Sequence, residues 1–270
     1  LKKELQSQIL LDGGHEERSA AYHILILDRL VEVGWVIQIV KNERPIWIIK
    51  AIKKMTEWLC FIRIKKGELP LFNDSSKDIC PDIDEVKEFA ISYLNNQENK
   101  LFGIRRLLSK AKKDSFFVDQ NSKFLDIKVP KIVDLKYTGW TFIRPQEEWE
   151  LVFKSGPSCP KHLPAHTHSD LLSFDLFRNG NPIISEAGTS IYGECPKRYF
   201  ERSGAAHNVL RLAKRNTLFD NILTWTEPVD VWGNFRAGRK AKTLMKSVKQ
   251  INKNTFSKSC SHNGFKSINA

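Results

Sequence analysis

The sequence predicts an α+β protein in which an α-helical domain is followed by an antiparallel β domain. Two observations carry this. In the first part of the chain, apolar residues recur at helical spacing between polar loops. From about residue 115 onward, short β-branched and aromatic runs alternate with turn residues. The 270 residues, 41% hydrophobic and with seven tryptophans, suffice for one large or two ordinary domains with a real core, and they exclude disorder.

The chain opens on polar, helix-like Leu1-Lys-Lys-Glu. Ser19 is placed to cap a helix through AAYHILILDRLVEVG, with Ile24, Leu27, Leu30 and Val31 on one face and Gly34 at its end. PIWIIKAIKKMTEWLCFI (45–62) repeats the pattern, with Trp47, Ile48, Ala51, Met55 and Leu59 at helical spacing and Pro45 at its start. GELPLFNDSS then reads as a loop. EVKEFAISYL and LFGIRRLLSKAKK (101–113) complete the helices, which suggest a bundle or solenoid. The texture changes between 112 and 120. KFLDIKV, GWTFIR, WELVFKSG, LLSFDLF, PIISEAG and NVLRLA are strand-like, and Asn179-Gly180 signals a hairpin. Strands at this spacing suggest a sandwich or layered antiparallel sheet. Residues 243–270, rich in Lys, Ser and Asn, read either as a weak edge or as an incomplete β domain.

The net charge of +12 is concentrated: residues 211–270 hold 12 Lys or Arg against 3 acidic residues, about +9. Such a field attracts polyanions, whether nucleic acid, anionic membrane or acidic polysaccharide. A solvated basic face without a ligand is the plain alternative. The five cysteines include no C-x-x-C pair, which argues against a zinc knuckle, a thioredoxin motif or a disulfide framework. No apolar run reaches transmembrane length. The chain lacks an initiating Met and opens in mid-pattern, so it is expected to be part of a longer protein.

Two segments carry the chemistry. In AHTHSDLLSF (165–174), His166 and His168 share one face of an extended segment and can act side by side as ligand or proton carriers. Two polar loop histidines are the plain alternative. DGGHEERSAAYH (12–23) is the second unusual segment.

Together these motifs resemble the heparinase II/III-like family of polysaccharide lyases. The likeness rests on QILLDGGHEERSAAYH (8–23), on the stretch from LVFKSGP to EAGTSIYG (151–193), and on RSGAAHNVLRL (202–212) with VWGNFRAGRKA (231–241). GELPLFNDS and SHNGFK are weaker matches. The resemblance implies an incomplete (α/α) toroid over residues 1–115, then an antiparallel β-sandwich over 116–270 that stops early, with the active site in the cleft between them. It implies β-elimination on uronic-acid-containing chains. Tyr22 would transfer protons and His166 would stand near the substrate. His168, Glu186 and His207 would bind one structural Zn2+ ion. Glu186 departs from the family's usual Asp, and the family's Asn-His pair, which neutralises the substrate carboxylate, is not found in this chain.

β-Elimination removes a proton beside a carboxylate and expels the C4 oxygen, so it needs charge neutralisation, a base and an acid. A tyrosine is a poor base unless its phenolate is favoured. Tyr22 lies in the first turn after Ser19, where the positive helix end favours the phenolate, and basic neighbours such as Arg18 would add to this. The alternative is a packed helix tyrosine. A histidine can carry a proton near neutral pH, which suits His166. Two histidines and a carboxylate make a plausible zinc set. A two-residue turn at Asn179-Gly180 pairs Ser173, not His168, with Glu186, so the ligand role of Glu186 rests on the resemblance and Asp170 is the local alternative. Tyr192 is a possible second acid. His15 and His23 are weaker candidates that could line the cleft or simply pack.

The leading expectation is a lyase acting on an acidic polysaccharide such as a glycosaminoglycan, alginate or another bacterial uronic-acid polymer. It is expected in the periplasm or cell envelope of a bacterium. A non-catalytic relative that binds such polymers or serves exopolysaccharide biosynthesis is the second reading. Nucleic-acid binding is disfavoured, because no recognised motif accompanies the charge and the basic region has few interleaved aromatics.

Overall fold

The computed structural model describes residues 1–97, 127–215, 223–233, 235–252 and 255–263. The expected helix at 101–113 and the expected boundary near 115 lie outside these residues.

Short helix α1 (Lys2–Gln8) precedes the D-G-G turn. Helix α2 (Ala20–Lys41) begins where Ser19 Oγ accepts the Tyr22 amide, as the sequence leads one to expect. It does not end at Gly34. It runs on to Lys41 and stops at Asn42, which adopts the left-handed conformation. Gly34 lies inside the helix because a Cβ there would sit 2.7 Å from the Tyr93 ring. The glycine makes room for packing and does not break the helix. Helix α3 (Ile46–Ile62) presents Ile48, Ala51, Met55 and Leu59 to the core, while Trp47 is half-buried. Asp82 caps α4 (Ile83–Asn95) by accepting the Asp84 and Glu85 amides.

A five-stranded antiparallel meander follows: β1 (Ile132–Leu135), β2 (Trp140–Ile143), β3 (Trp149–Lys154), β4 (Phe174–Arg178) and β5 (Asn181–Ile184), paired in that order. Asn179-Gly180 turns β4 into β5, both residues having positive φ. Helix α5 (Pro196–Arg202) leads to three hairpins. These are β6 (Leu212–Arg215) with β7 (Leu223–Thr226), β8 (Val229–Trp232) with β9 (Arg236–Lys240), and β10 (Thr243–Asn252) with β11 (Thr255–His262). The Lys/Ser/Asn-rich end thus forms a long ribbon.

Helices and meander share one core. Trp58 of α3 lies 5.4 Å from Trp140 of β2, and Phe72 lies 5.2 Å from the same indole. All three are fully buried. The D-G-G turn fastens this joint. Asp12 accepts the Tyr137 and Thr138 amides at 2.8 and 2.6 Å and the Thr138 hydroxyl at 2.9 Å. Trp58 Nε1 donates to the same hydroxyl oxygen at 2.9 Å. A Cβ on Gly14 would lie 2.2 Å from Thr138 Oγ1 and 2.7 Å from Trp58 Nε1, so the turn requires glycine. Gly14→Ala should therefore lower the unfolding free energy by roughly 2–4 kcal/mol. Gly193→Ala, where a Cβ meets open space, should stay within about 0.5 kcal/mol. Chemical denaturation of the two variants checks both.

Candidate active site

The site lies at the seam between α2, the loop before α4, and the connections of the sheet. Tyr22, in the first turn of α2, faces His166 with ring centroids 4.5 Å apart. Its hydroxyl donates to the Tyr192 hydroxyl at 3.0 Å. Phe235 completes an aromatic wall, 5.9 Å from His166 and stacked 6.2 Å from Tyr192. Residues from four separate stretches of sequence meet here.

Asp74 organises them. Its carboxylate is fully buried and accepts from His166 Nδ1 at 2.8 Å and from His168 Nε2 at 2.6 Å. Arg198 of α5 grips both oxygens, at 2.6 and 2.7 Å. Burial alone would raise the Asp74 pKa. The hydrogen bonds from His166, His168 and Arg198 outweigh it and hold the carboxyl well below the usual carboxylate range. An ionised Asp74 requires N–H donors, so it fixes His166 with its proton on Nδ1. Nε2 then points toward Glu17, 3.4 Å away. Next to Asp74, Asn73 takes a left-handed conformation. Its side-chain amide donates to the Glu17, Arg18 and Ser158 carbonyls. Its amide oxygen accepts from the buried Lys154, which also pairs with Asp170. Asp170 is thus committed to a structural ion pair.

The three expected zinc ligands come together, but in file and not around a point. Glu186 bonds His207 Nδ1, His207 Nε2 lies 3.2 Å from His168 Nδ1, and His168 Nε2 bonds Asp74. Every ring nitrogen of the pair already has a protein partner. Among the described residues, no group of three His, Cys, Asp or Glu side chains could hold an ion. As placed, Glu186 stands behind His207, so these residues do not fit a three-ligand zinc site. They fit a chain of hydrogen bonds instead. Burial works against charge on His207, but the hydrogen bond and charge of Glu186 prevail and raise its pKa. Burial pushes His168 down to about 4 despite Asp74. A cationic His207 donating to a neutral His168, which donates to Asp74, satisfies every group. The Ser173 hydroxyl also bonds the Glu186 carboxylate, although the hairpin does not keep the register expected for it: a shift between Leu176 and Phe177 pairs Leu176 with Ile184.

Tyr22 departs from its expected state. Burial first, then the hydrogen bond with Tyr192 and the charges of Asp74 and Glu17, raise its pKa, so the phenol stays protonated. The helix end is outweighed, and Arg18 turns elsewhere, donating to the Glu16 and Tyr137 carbonyls. His23 packs on Trp58 at 4.1 Å and bonds the Met55 carbonyl at 3.0 Å, so it serves the core. His15 is buried and neither ring nitrogen has a partner. Sequence reasoning missed Asp74, Glu17, Arg198 and Phe235. The one signal for Asp74 was the weak match of the loop that contains it.

Helices joined to antiparallel sheets through a half-buried Tyr22–His166 pair on a buried Asp74 define a two-part α+β protein with titratable groups in its seam. Family models match both parts: "Heparinase II/III N-terminus" over residues 1–100 and "Heparinase II/III-like, C-terminal" over residues 128–269. The chain belongs to the heparinase II/III-like family. It is similar to a heparin-sulfate lyase of Bacteroides thetaiotaomicron, 23% identical over 241 residues, covering 80% of this chain and 32% of that protein. The crystal structure of heparinase III shares the fold, with a TM-score of 0.59 at 16% identity over 97% of this chain and 40% of that one. A heparan sulfate lyase of Pedobacter heparinus superposes with a TM-score of 0.55 at 18% identity, covering 97% and 38%. The chain thus spans about a third of the curated relative's length. No described helix is long and apolar enough to cross a membrane.

Asp74→Asn removes the charge that three donors converge on and leaves Arg198 buried and unpaired. It should lower the unfolding free energy by about 3–5 kcal/mol, measured by denaturant titration. A pH dependence follows from the buried histidines. Burial depresses His15 and His168 to about 4 and His23 to about 3. The unfolded chain accepts these protons below about pH 6.5, whereas the folded state resists them. Their contribution is complete above that value and is lost as pH falls toward the folded pKa values. The thermal midpoint should therefore drop from about pH 7 to about pH 4.5. His15→Phe, which removes one partnerless titrating ring, should recover on the order of 1–3 kcal/mol at the acid end.

Proposed function

We propose that this protein is a polysaccharide lyase that cleaves a uronic-acid-containing acidic polysaccharide, of the glycosaminoglycan class, by β-elimination. The observation that carries this is the Tyr22–His166 pair, with ring centroids 4.5 Å apart and His166 oriented by Asp74. His166 Nε2 has the free lone pair and takes the proton from C5 of the uronate. Those electrons form the C4–C5 double bond as the C4–O bond breaks. Tyr22, kept protonated by burial, gives its proton to the departing oxygen. Tyr192, which accepts from Tyr22 at rest, turns its own hydroxyl proton toward the Tyr22 oxygen once that oxygen has lost its proton, and stabilises the phenolate that forms. Glu17, beside Nε2, stabilises the imidazolium. The proton then returns from His166 to Tyr22 and closes the cycle. No step passes through a metal. The names of the relatives favour a glycosaminoglycan over alginate, and their named sources are bacterial; a periplasmic or envelope location is proposed together with this activity.

The second reading is a non-catalytic relative that holds an acidic polymer. A cation-lined cavity that excludes the proton-transfer pair favours it. The two separate in one assay: absorbance of unsaturated uronate product from heparan sulfate, hyaluronan, alginate and a bacterial exopolysaccharide. On a substrate that the intact protein cleaves, Tyr22→Phe should cut kcat by about 10²–10⁴-fold while changing polymer affinity little. Parent-like turnover in Tyr22→Phe refutes the role of Tyr22. Polymer binding with no product from any substrate leaves the second reading.

A further inference from the structure

A cavity of about 550 Å³ opens beside the turn that carries Glu17 and Arg18. Every charged residue lining it is a cation: Arg18, Lys161, Lys240, Lys242 and Lys246. Its lining is mostly apolar and includes Pro157 and Pro160. Neither Tyr22 nor His166 reaches it. Arg18 has a φ of 53°, and this left-handed step sends adjacent side chains to different places. Glu17 stands by His166, and Arg18 enters the cavity.

None of the five forms an ion pair with a described residue. Arg18 is 8% exposed, bonds only uncharged carbonyls, and keeps its Nε buried with no partner. Burial and the charge of nearby Lys258 pull the Lys246 pKa down, and the charge of Asp134, which pairs with Lys258, does not offset them. Converging cations with unused donors are arranged for an anionic group. The apolar lining selects what carries it, because a sugar ring presents C–H faces and a bare inorganic anion has none. The volume lies in the range of roughly 300–1,000 Å³ that holds small ligands.

We propose that this cavity is an anionic-sugar subsite, which binds a sulfate or carboxylate borne by a sugar ring of the polymer away from the proton-transfer pair. It rests on the acidic-polysaccharide reading but not on cleavage. Lys161 and Lys242 are exposed, so Lys161→Ala/Lys242→Ala removes two cations without touching the core. Lys3→Ala/Lys41→Ala, on exposed residues of α1 and α2, removes equal charge elsewhere. Binding to the intact protein is measured by calorimetry at low and physiological salt. The probes are a heparan sulfate hexasaccharide, its desulfated form, and the desulfated form with reduced carboxyls. The cavity variant should bind the sulfated probe roughly fivefold to tenfold more weakly, with a shallower salt dependence, and the control variant should match the parent. A loss confined to the sulfated probe assigns the subsite to sulfate. A loss on the desulfated acidic probe as well assigns it to carboxylate. Equal losses in both variants, or none, overturn the proposal, as does a parent that binds no probe. Product formation is read separately: a parent that cleaves while the cavity variant binds normally rejects the subsite alone, and a parent that binds without cleaving rejects the lyase alone.

Discussion

A buried carboxylate cannot remain charged without partners, and the whole seam answers that demand for Asp74. Its oxygens draw Arg198 from α5 and His166 and His168 from the segment before β4. Each partner is then held by its own neighbours. His168 leads to His207 and Glu186, and so to Ser173 before β4. Asn73, one residue earlier, ties the Glu17–Arg18 turn and the Ser158 loop to the buried Lys154–Asp170 pair. Along this path the anions Asp74, Glu186 and Asp170 each meet a cation, Arg198, His207 and Lys154 respectively, so these stay ionised in a dry environment that would otherwise neutralise them. His168 bridges them as a neutral ring. The orientation of His166 is one product of that arrangement.

Burial acts in opposite senses on neighbouring groups. It keeps Tyr22 a phenol and His168 neutral, yet it fails to discharge Asp74 or His207. What separates the two outcomes is the balance of charged partners: His168 also has a carboxylate, Asp74, but burial and the charge of His207 oppose its own charge. Asp74 has three donors, one of them a guanidinium, and His207 has a carboxylate. Tyr22 has only another phenol. An acid and a base can thus coexist a ring's width apart.

Much of the fold was legible because periodicity reports burial directly. The helical faces of α2 and α3, the Ser19 cap and the Asn179-Gly180 hairpin all followed from local spacing. The end of α2 did not, since Gly34 faces Tyr93, a contact from a helix some sixty residues on. Tyr22, His166 and Tyr192 could be placed by motif, and they meet. Asp74 could not be picked out, because an aspartate in a Gly/Pro/Asn/Asp/Ser loop has the look of any turn residue. Only long-range folding buries it. Arg198 was hidden likewise, on a short helix whose charged residues Arg198, Glu201 and Arg202 face inward. Protonation states were the least legible, since they depend on partners that the chain brings from far away.

The tryptophan joint between α3 and β2 has a consequence for how such chains can be handled. Two family models divide the sequence, yet Trp58, Phe72 and Trp140 make no such division. Sequence modules are therefore not units of solubility here. Expressed apart, either portion would carry a large sticky aromatic surface and invite aggregation. Recombination between relatives would have to exchange both indole-bearing faces at once, which binds the two modules to a common evolutionary history.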